Sequence, residues 1–319
     1  MNLLAIIDQI LHRCAAGERV AVCTVAAARG STPQKAGAMM IVLQNGQTLG
    51  TLGGGCVEAE VRVRALKLIE AQQDLLLSFK LDHDYGWDDG LVCGGAMDIA
   101  VQIVDRVERA EPWREIRDTL LAGQAATLSL KVPDESGQIT PIDQIIQPTP
   151  TLLIAGAGHV GAALATITQQ IGFDVTVIDD RPDFASVERL PGARIIIGEI
   201  EQELARFEIH KNTYVVIVTR GHRHDARALA AVVRSPAHYI GLIGSKRKIV
   251  TILRDLHAQG ISVENLSRVH APIGLNLGAI TPAEIAISIA AELVAIRRCG
   301  SSEMIANMRV TTAQLAKLV

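Results

Sequence analysis

Residues 151–182 read TLLIAGAGHVGAALATITQQIGFDVTVIDDRP. A short apolar run, TLLIA, leads directly into Gly156-Ala157-Gly158-His159-Val160-Gly161, which matches G-x-G-x-x-G. The pattern then turns helical and ends in a second apolar run closed by Asp179, 23 residues after Gly156. Alone, the glycine pattern says little. Between a strand and a helix it is the context of a dinucleotide fingerprint. Bare glycines let a helix N-terminus approach a pyrophosphate. An acidic residue closing the next strand would hold a ribose hydroxyl.

Working outward, the apolar runs RIIIG (194–198), YVVIVT (214–219) and YIGLIG (239–244) alternate with helical segments. Continuously apolar strands separated by helices predict a parallel sheet covered on both faces. Residues 151–319 are therefore expected to form a Rossmann-like, doubly wound parallel sheet. Ligands of such sheets bind beyond the carboxyl ends of the strands. Arg220 and His222, in TRGHRHD (219–225), fall there and are expected to face a ligand. His222 and Asp225 read either as an acid/base pair or, for Asp225 preferentially, as a helix cap. Arg181 reads as a phosphate partner or as a solvated turn residue. GSKRK (244–248) reads equally as an anion site at a helix start or as a solvated basic face.

The N-terminal half has a different grammar. Residues 2–16 are patterned as a helix, 19–28 as a strand, and AMMIVLQNGQTLGTL as a hairpin turning at Asn45-Gly46. A helix over 56–73, strands at 75–81 and 96–104, a helix from Trp113 and a last strand from Ala125 follow. Strands and helices mixed around hairpins predict an α+β domain over residues 1–132. PDESGQITPIDQIIQPTP (133–150) carries four prolines and is expected to be a linker.

Composition excludes several classes. Of 319 residues, 49% are hydrophobic and 20% charged, enough for sizeable cores. A net charge of −3 and 3% aromatic residues give no footprint for nucleic acid. No apolar run is long enough to span a bilayer. NLLAIIDQILHRC (2–14) contains Asp8 and reads as an amphipathic helix, not a signal peptide. Five scattered cysteines, at 14, 23, 56, 93 and 299, without a C-x-x-C pair, fit free thiols in a reducing, cytoplasmic setting and no zinc site.

Three further stretches carry chemistry. Arg29-Gly30-Ser31-Thr32-Pro33 reads either as a turn or as an anion contact through Arg29, Ser31 and Thr32. GTLGGGCVEAEV (50–61) places Gly53, Gly54, Gly55 and Cys56 at a helix start, where a thiolate is stabilised. Glu58 there is either a partner of the helix dipole or a site residue. Cys93-Gly94-Gly95 is a second glycine–cysteine setting. A contact to ligand or sulfur stands beside the plain reading of buried, inert cysteines.

These stretches, in order with LLIAGAGHVGAALA, TRGHRHD, YIGLIGSKRK and HAPIGLNLGAITPAEIAISIAAELVA, resemble the XdhC/CoxI family along nearly the whole chain. The resemblance implies an XdhC/CoxI-type domain followed by a Rossmann domain. It implies a chaperone of the molybdenum cofactor (molybdopterin), without turnover of its own. The chaperone would protect the pterin, assist its sulfuration and insert it into a molybdenum hydroxylase of the xanthine dehydrogenase or aldehyde oxidoreductase type. Partners so implied are the hydroxylase apoenzyme, a cysteine desulfurase and a cofactor nucleotidyltransferase. The cargo is the plain pterin or its cytosine dinucleotide form, with a nucleotide in the Rossmann half. Carried over by motif, the cofactor-binding residues are Arg29, Ser31, Thr32, Gly53, Gly54, Gly55, Cys56, Glu58, Cys93, Gly94, Gly156, Gly158, Gly161, Asp179, Arg220 and His222. A nicotinamide-dependent oxidoreductase and a nucleotide-sensing regulatory module are the competing readings. The first leaves the glycine–cysteine half unexplained. The apolar helix at 282–298 reads as core or as a homodimer face.

Overall fold

The structure, a computed structural model, describes residues 3–81 and 95–299. It divides into two compact units, residues 1–148 and 149–319. The first contains α1 (Leu3–Ala15), β1 (Val20–Arg29), β2 (Met39–Leu43), β3 (Thr48–Gly50), α2 (Gly55–Ala71), β4 (Leu75–Lys80), β5 (Ala96–Val104), α3 (Val107–Leu121), β6 (Ala126–Leu130) and β7 (Ile142–Ile146). The antiparallel sheet runs β3-β2-β1-β5-β4. Side chains alternate across it. Val20 and Val22 pack with Ile6, Ile7 and Ile10 of α1 and Trp113, Ile116 and Leu120 of α3. Ala21, Cys23 and Val25 pack with Val57, Val61, Ala65 and Leu68 of α2. Helices on both faces explain why β1 reads as a continuous apolar run.

The hairpin turns as expected. Gly46 has φ +79°, and the Asn45 side chain accepts from the Gln47 amide at 2.9 Å. The stretch expected to be linker is corrected in part, because residues 142–146 form β7, paired antiparallel with β6. Two of the four prolines, Pro141 and Pro148, bracket this strand and do not interrupt it. The Gln144 amide of β7 donates to the Val25 and Ala26 carbonyls at 2.8 and 2.9 Å. It does so where the β1–β5 register shifts between Val25 and Ala27. Helix α3 begins six residues before Trp113 and holds Pro112 inside it.

The second unit contains β8 (Thr151–Ala155), α4 (His159–Gln170), β9 (Asp174–Asp179), β10 (Arg194–Ile197), α5 (Ile200–Arg206), β11 (Thr213–Ile217), α6 (His222–Val232), β12 (Tyr239–Leu242), α7 (Lys246–Ala258), α8 (Val263–Ser267), β13 (Val269–His270) and α9 (Pro282–Cys299). Its sheet runs β10-β9-β8-β11-β12-β13, with every pairing parallel. In order within the unit this is 3-2-1-4-5-6, the doubly wound order with its switch point between β8 and β11. Leu153 and Ala155 face a core built with α5 to α8. Leu152 and Ile154 face one built with α4 and α9. Among the described residues no helix is long and apolar enough to cross a membrane.

Helix α9 buries one acid completely. Glu292 is 0% exposed and accepts from the Tyr239 hydroxyl at 2.9 Å. It pairs with His270 Nδ1 at 2.7 Å and takes the Gly274 amide. This carboxylate ties β12, β13 and the loop after β13 to α9. Glu292→Gln keeps the volume but exchanges one acceptor oxygen for a donor. It is expected to cost about 1–3 kcal/mol, read as a lowered urea midpoint with an unchanged slope.

Candidate functional site

In the first unit, antiparallel pairing brings the sequence-distant motifs to one end of the sheet. Arg29 pairs with Ala96, and Ala96 with Lys80. The loop after β1, the β3–α2 loop and Gly95 therefore share that end. A Cβ on Gly95 would collide with the Ser31 carbonyl oxygen, and one on Gly53 (φ +112°) with the Pro33 ring. Glycine is needed at both positions because two loops pass at backbone distance. Gly54 and Gly55 differ. They have φ +80° and +68°, and among the described residues a Cβ there would meet nothing within 4 Å. Their bare backbone faces open space at the start of α2, with half-buried Cys56 next in the chain. The expected contact residues Cys93 and Gly94 lie outside the described residues.

Glu58, left open between helix-dipole partner and site residue, is spent on the loop itself. Its Oε1 accepts from the Thr51 hydroxyl at 2.5 Å and from the Leu52 and Gly54 amides, each at 2.7 Å. Burial pushes its carboxyl up. The Thr51 hydroxyl and the loop amides outweigh that and hold it below its usual range. Arg29 is exposed and ion-paired to Asp98 at 3.0 Å, and Asp98 also accepts from the Ser78 hydroxyl at 2.8 Å. Ser31 is exposed. The Thr32 hydroxyl donates to the Gln34 carbonyl at 2.8 Å. Cys14 and Cys23 are core residues, and burial drives the Cys23 thiol up to about 12.

In the second unit the three glycines have three different duties. Gly156 (φ +116°) makes the turn out of β8, and a Cβ there would lie 2.6 Å from the Val218 carbonyl oxygen. A Cβ on Gly161 would collide with the Gly156 carbonyl, so α4 packs against the loop only through glycine. Gly158 is the α4 N-cap without a side-chain cap, and among the described residues nothing lies within 4 Å of its Cβ position. A bare helix N-terminus of this kind is one that an anion can approach.

Asp179 sits where expected, at the end of β9, but not as an open acceptor. It is 1% exposed. Its Oδ2 accepts from the Ala157 amide at 2.7 Å and from Arg181 Nη2 at 2.9 Å. Its Oδ1 accepts from the Arg181 amide at 3.0 Å and from Arg181 Nε at 2.8 Å. The Arg181 guanidinium lies 3.9 Å over the Phe184 ring. Arg220, after β11, pairs with Asp180, after β9, at 2.6 Å. Because β8 lies between β9 and β11, this bridge spans the mouth of the glycine loop. His222 is exposed in the first turn of α6. Asp225 is not the helix cap. Gly221 occupies that position, and the buried Asp225 carboxylate holds the Thr219 hydroxyl at 2.5 Å and the Lys248 ammonium. Of GSKRK, Ser245 caps α7 by accepting from the Lys248 amide at 3.3 Å. Among the described residues no cluster of His, Cys, Asp or Glu could hold a metal ion.

The Arg220–Asp180 bridge and the Lys248–Asp225 pair were not foreseen, since each joins segments that only the parallel sheet brings together. Glu292 carried a signal, as a lone acid inside the apolar run IAAELVA.

The second unit thus defines a Rossmann-fold protein with an open glycine loop at its switch point, joined in one chain to an α+β unit. Residues 13–80 match the family model described as "XdhC and CoxI family", and residues 152–293 match that of the "XdhC Rossmann domain". The chain belongs to the XdhC and CoxI family. It is 28% identical to a protein of Bacillus subtilis (strain 168) named as a probable xanthine dehydrogenase subunit, over 88% of this chain and 94% of that protein. It is 24% identical to the "Molybdenum cofactor insertion chaperone PaoD" of Escherichia coli (strain K12), over 88% of this chain and 84% of that one. A crystal structure titled as a xanthine dehydrogenase from Bacillus halodurans superposes with a TM-score of 0.81 at 25% identity, covering 95% of this chain and 98% of that one.

The Asp179 contacts give a pH signature. Burial pushes this carboxyl up, but the Arg181 guanidinium and the Ala157 and Arg181 amides override it, lowering it from 3.8 to about 2. A depressed carboxylate contributes stability that is complete above its unfolded pKa and is lost as pH falls through the folded one. The contribution, about 2 kcal/mol, is expected to persist down to about pH 4 and to disappear towards pH 2. Urea unfolding at pH 5 and pH 2 should show the gap between the unmodified chain and Asp179→Asn shrinking by about that amount. A gap of constant size would contradict it.

Proposed function

We propose that this protein is an accessory chaperone of a molybdenum hydroxylase. In this reading it binds the molybdenum cofactor as cargo, shields it, supports its sulfuration and passes it to the apoenzyme, with a cysteine desulfurase supplying the sulfur. It acts in the cytoplasm as a binding and delivery protein, not as a turnover enzyme. The observation that carries the reading is the bare backbone of Gly54 and Gly55 facing open space beside Cys56. An anionic pterin phosphate needs donors and no intruding side chains; the Gly54 amide is held by Glu58, so it is the Gly55 backbone and the positive helix start that would meet it. The full-length likeness to a protein named as a molybdenum cofactor insertion chaperone supports the same reading.

Residue roles follow in this reading. Gly54 and Gly55 admit the cargo, while Gly53 and Gly95 keep the loops together. Ser31 and Thr32 border the opening, and Arg29 is a cation at its rim. Cys56 is the thiol placed to handle sulfur. In the second unit Gly158 admits a phosphate or pyrophosphate, including that of a cytosine dinucleotide form, and Arg220 and His222 line the crevice.

The test is co-expression of a molybdenum hydroxylase with and without this protein, followed by assay of molybdenum, terminal sulfur and activity. Activity is expected to rise severalfold with the protein, and Cys56→Ser is expected to lower terminal sulfur more than molybdenum. Gly158→Val projects into open space, so it should fold normally and weaken delivery. Hydroxylase activity that is indifferent to the protein would sink the proposal.

A further inference from the structure

The usual acidic residue at the end of the second strand accepts from the 2′-hydroxyl of a ribose. A carboxylate offers about four lone-pair positions. At Asp179 four donors already occupy them: the Ala157 amide, the Arg181 amide, and Nε and Nη2 of Arg181. A ribose diol arriving there finds a filled acceptor. It would have to displace a two-pronged guanidinium from a carboxylate that is 1% exposed.

The group presented to the crevice at this point is therefore Arg181. Its side chain is 27% exposed. Two of its N–H groups are turned to Asp179, Asp180 Oδ1 lies 3.9 Å from Nε, and Nη1 makes no hydrogen bond among the described residues and is left for another partner. The Phe184 ring beneath it, at 3.9 Å, fixes the plane of that fork. A second arginine stands on the far wall, since Arg220 reaches across from the loop after β11 to Asp180. The Arg220 side chain is 44% exposed. Asp180 is 19% exposed and keeps Arg181 Nε 3.9 Å away, so Arg220, at the accessible side of the pair, can turn to a stronger anion without leaving Asp180 alone. A planar guanidinium held in place is suited to the oxygens of a phosphate.

We propose that the Rossmann crevice selects, at the end of β9, a ligand that sets a phosphate monoester against Arg181 over one that offers a free ribose diol there. The inference rests on the reading that this crevice holds the phosphate-bearing part of a cargo or nucleotide. It deepens that reading by naming the chemistry selected. The phosphate has two sources, the 2′-phosphate of a dinucleotide or the phosphate of a pterin. A cytosine dinucleotide, whose ribose is unphosphorylated, is not held through Asp179.

Two matched pairs of ligands test this by titration calorimetry on the full chain: NADPH against NADH, and hydroxymethylpterin phosphate against hydroxymethylpterin. The phosphorylated member of at least one pair is expected to bind about tenfold more tightly or better. The pair that shows the preference identifies the source. No preference in either pair, or no binding by any of the four, overturns the proposal. Arg181→Ala is expected to abolish the preference and, by releasing the Asp179 oxygens, to strengthen NADH. Arg181→Gln keeps a donor towards Asp179 and removes the charge. It serves if the alanine variant loses its cooperative melt, and it too should lose the preference. A preference retained in the folded variant overturns the assignment to Arg181. The titration uses no hydroxylase, so it fails or succeeds independently of the maturation assay.

Discussion

The second unit depends on one contact, the passage of α4 against the carbonyl of Gly156 at Gly161. A Cβ at Gly161 would collide with that oxygen, so the approach exists only because the residue is glycine. The contact sets the distance between α4 and β8, and with it the position of the helix N-terminus at the switch point. It also places the Ala157 amide 2.7 Å from Asp179. The carboxylate then fixes Arg181, and Arg181 lies over Phe184. One missing methyl group thus propagates through a chain of hydrogen bonds into the shape and charge of the crevice. A packed interior passes such a constraint on because it has little free volume to absorb it.

The first unit reaches a comparable end by other means. Its glycines at 53 and 95 let loops approach Pro33 and Ser31, and Glu58 then gathers the Thr51 hydroxyl and two amides onto one oxygen. The three consecutive glycines are not equivalent. Gly53 is a packing residue, while Gly54 and Gly55 keep the backbone bare towards open space. In the G-x-G-x-x-G run the same division recurs, with Gly156 and Gly161 packed and Gly158 open.

Much of this fold was legible in the sequence because local rules and tertiary packing agree there. The 151–182 stretch shows strand, glycine turn, helix and strand in the order the sheet adopts. Asn45-Gly46 marked its hairpin by turn chemistry. Where the reading failed, a long-range partner decided the outcome. The strand at 142–146 is short and lies between prolines, and its partner β6 and the Gln144 bonds to β1 are what make it a strand. Asp225 looked like a helix cap because caps are local. Its actual partners, Thr219 and Lys248, meet it only after β11 and β12 lie side by side. The roles of Glu58 and Asp179 were ambiguous for the same reason. Whether an acid faces a ligand or a backbone amide is set by the loop's path, which its composition does not encode.

Those two acids share a physical logic. Each lies beside a glycine loop that would repel a bound anion if a carboxylate pointed into it. Each instead turns inward, where loop amides and, at Asp179, a guanidinium neutralise it. The turn does two things at once. It engages the carboxylate in the loop's own hydrogen bonds, and it replaces side-chain bulk in holding together a loop that has none. A glycine loop left to itself loses more chain entropy on ordering than any other. An internal carboxylate with several amide bonds offsets that loss without narrowing the opening. In the reading proposed above, an arriving anion would meet the helix start at Gly55, the opening at Gly158 and the outer face of Arg181.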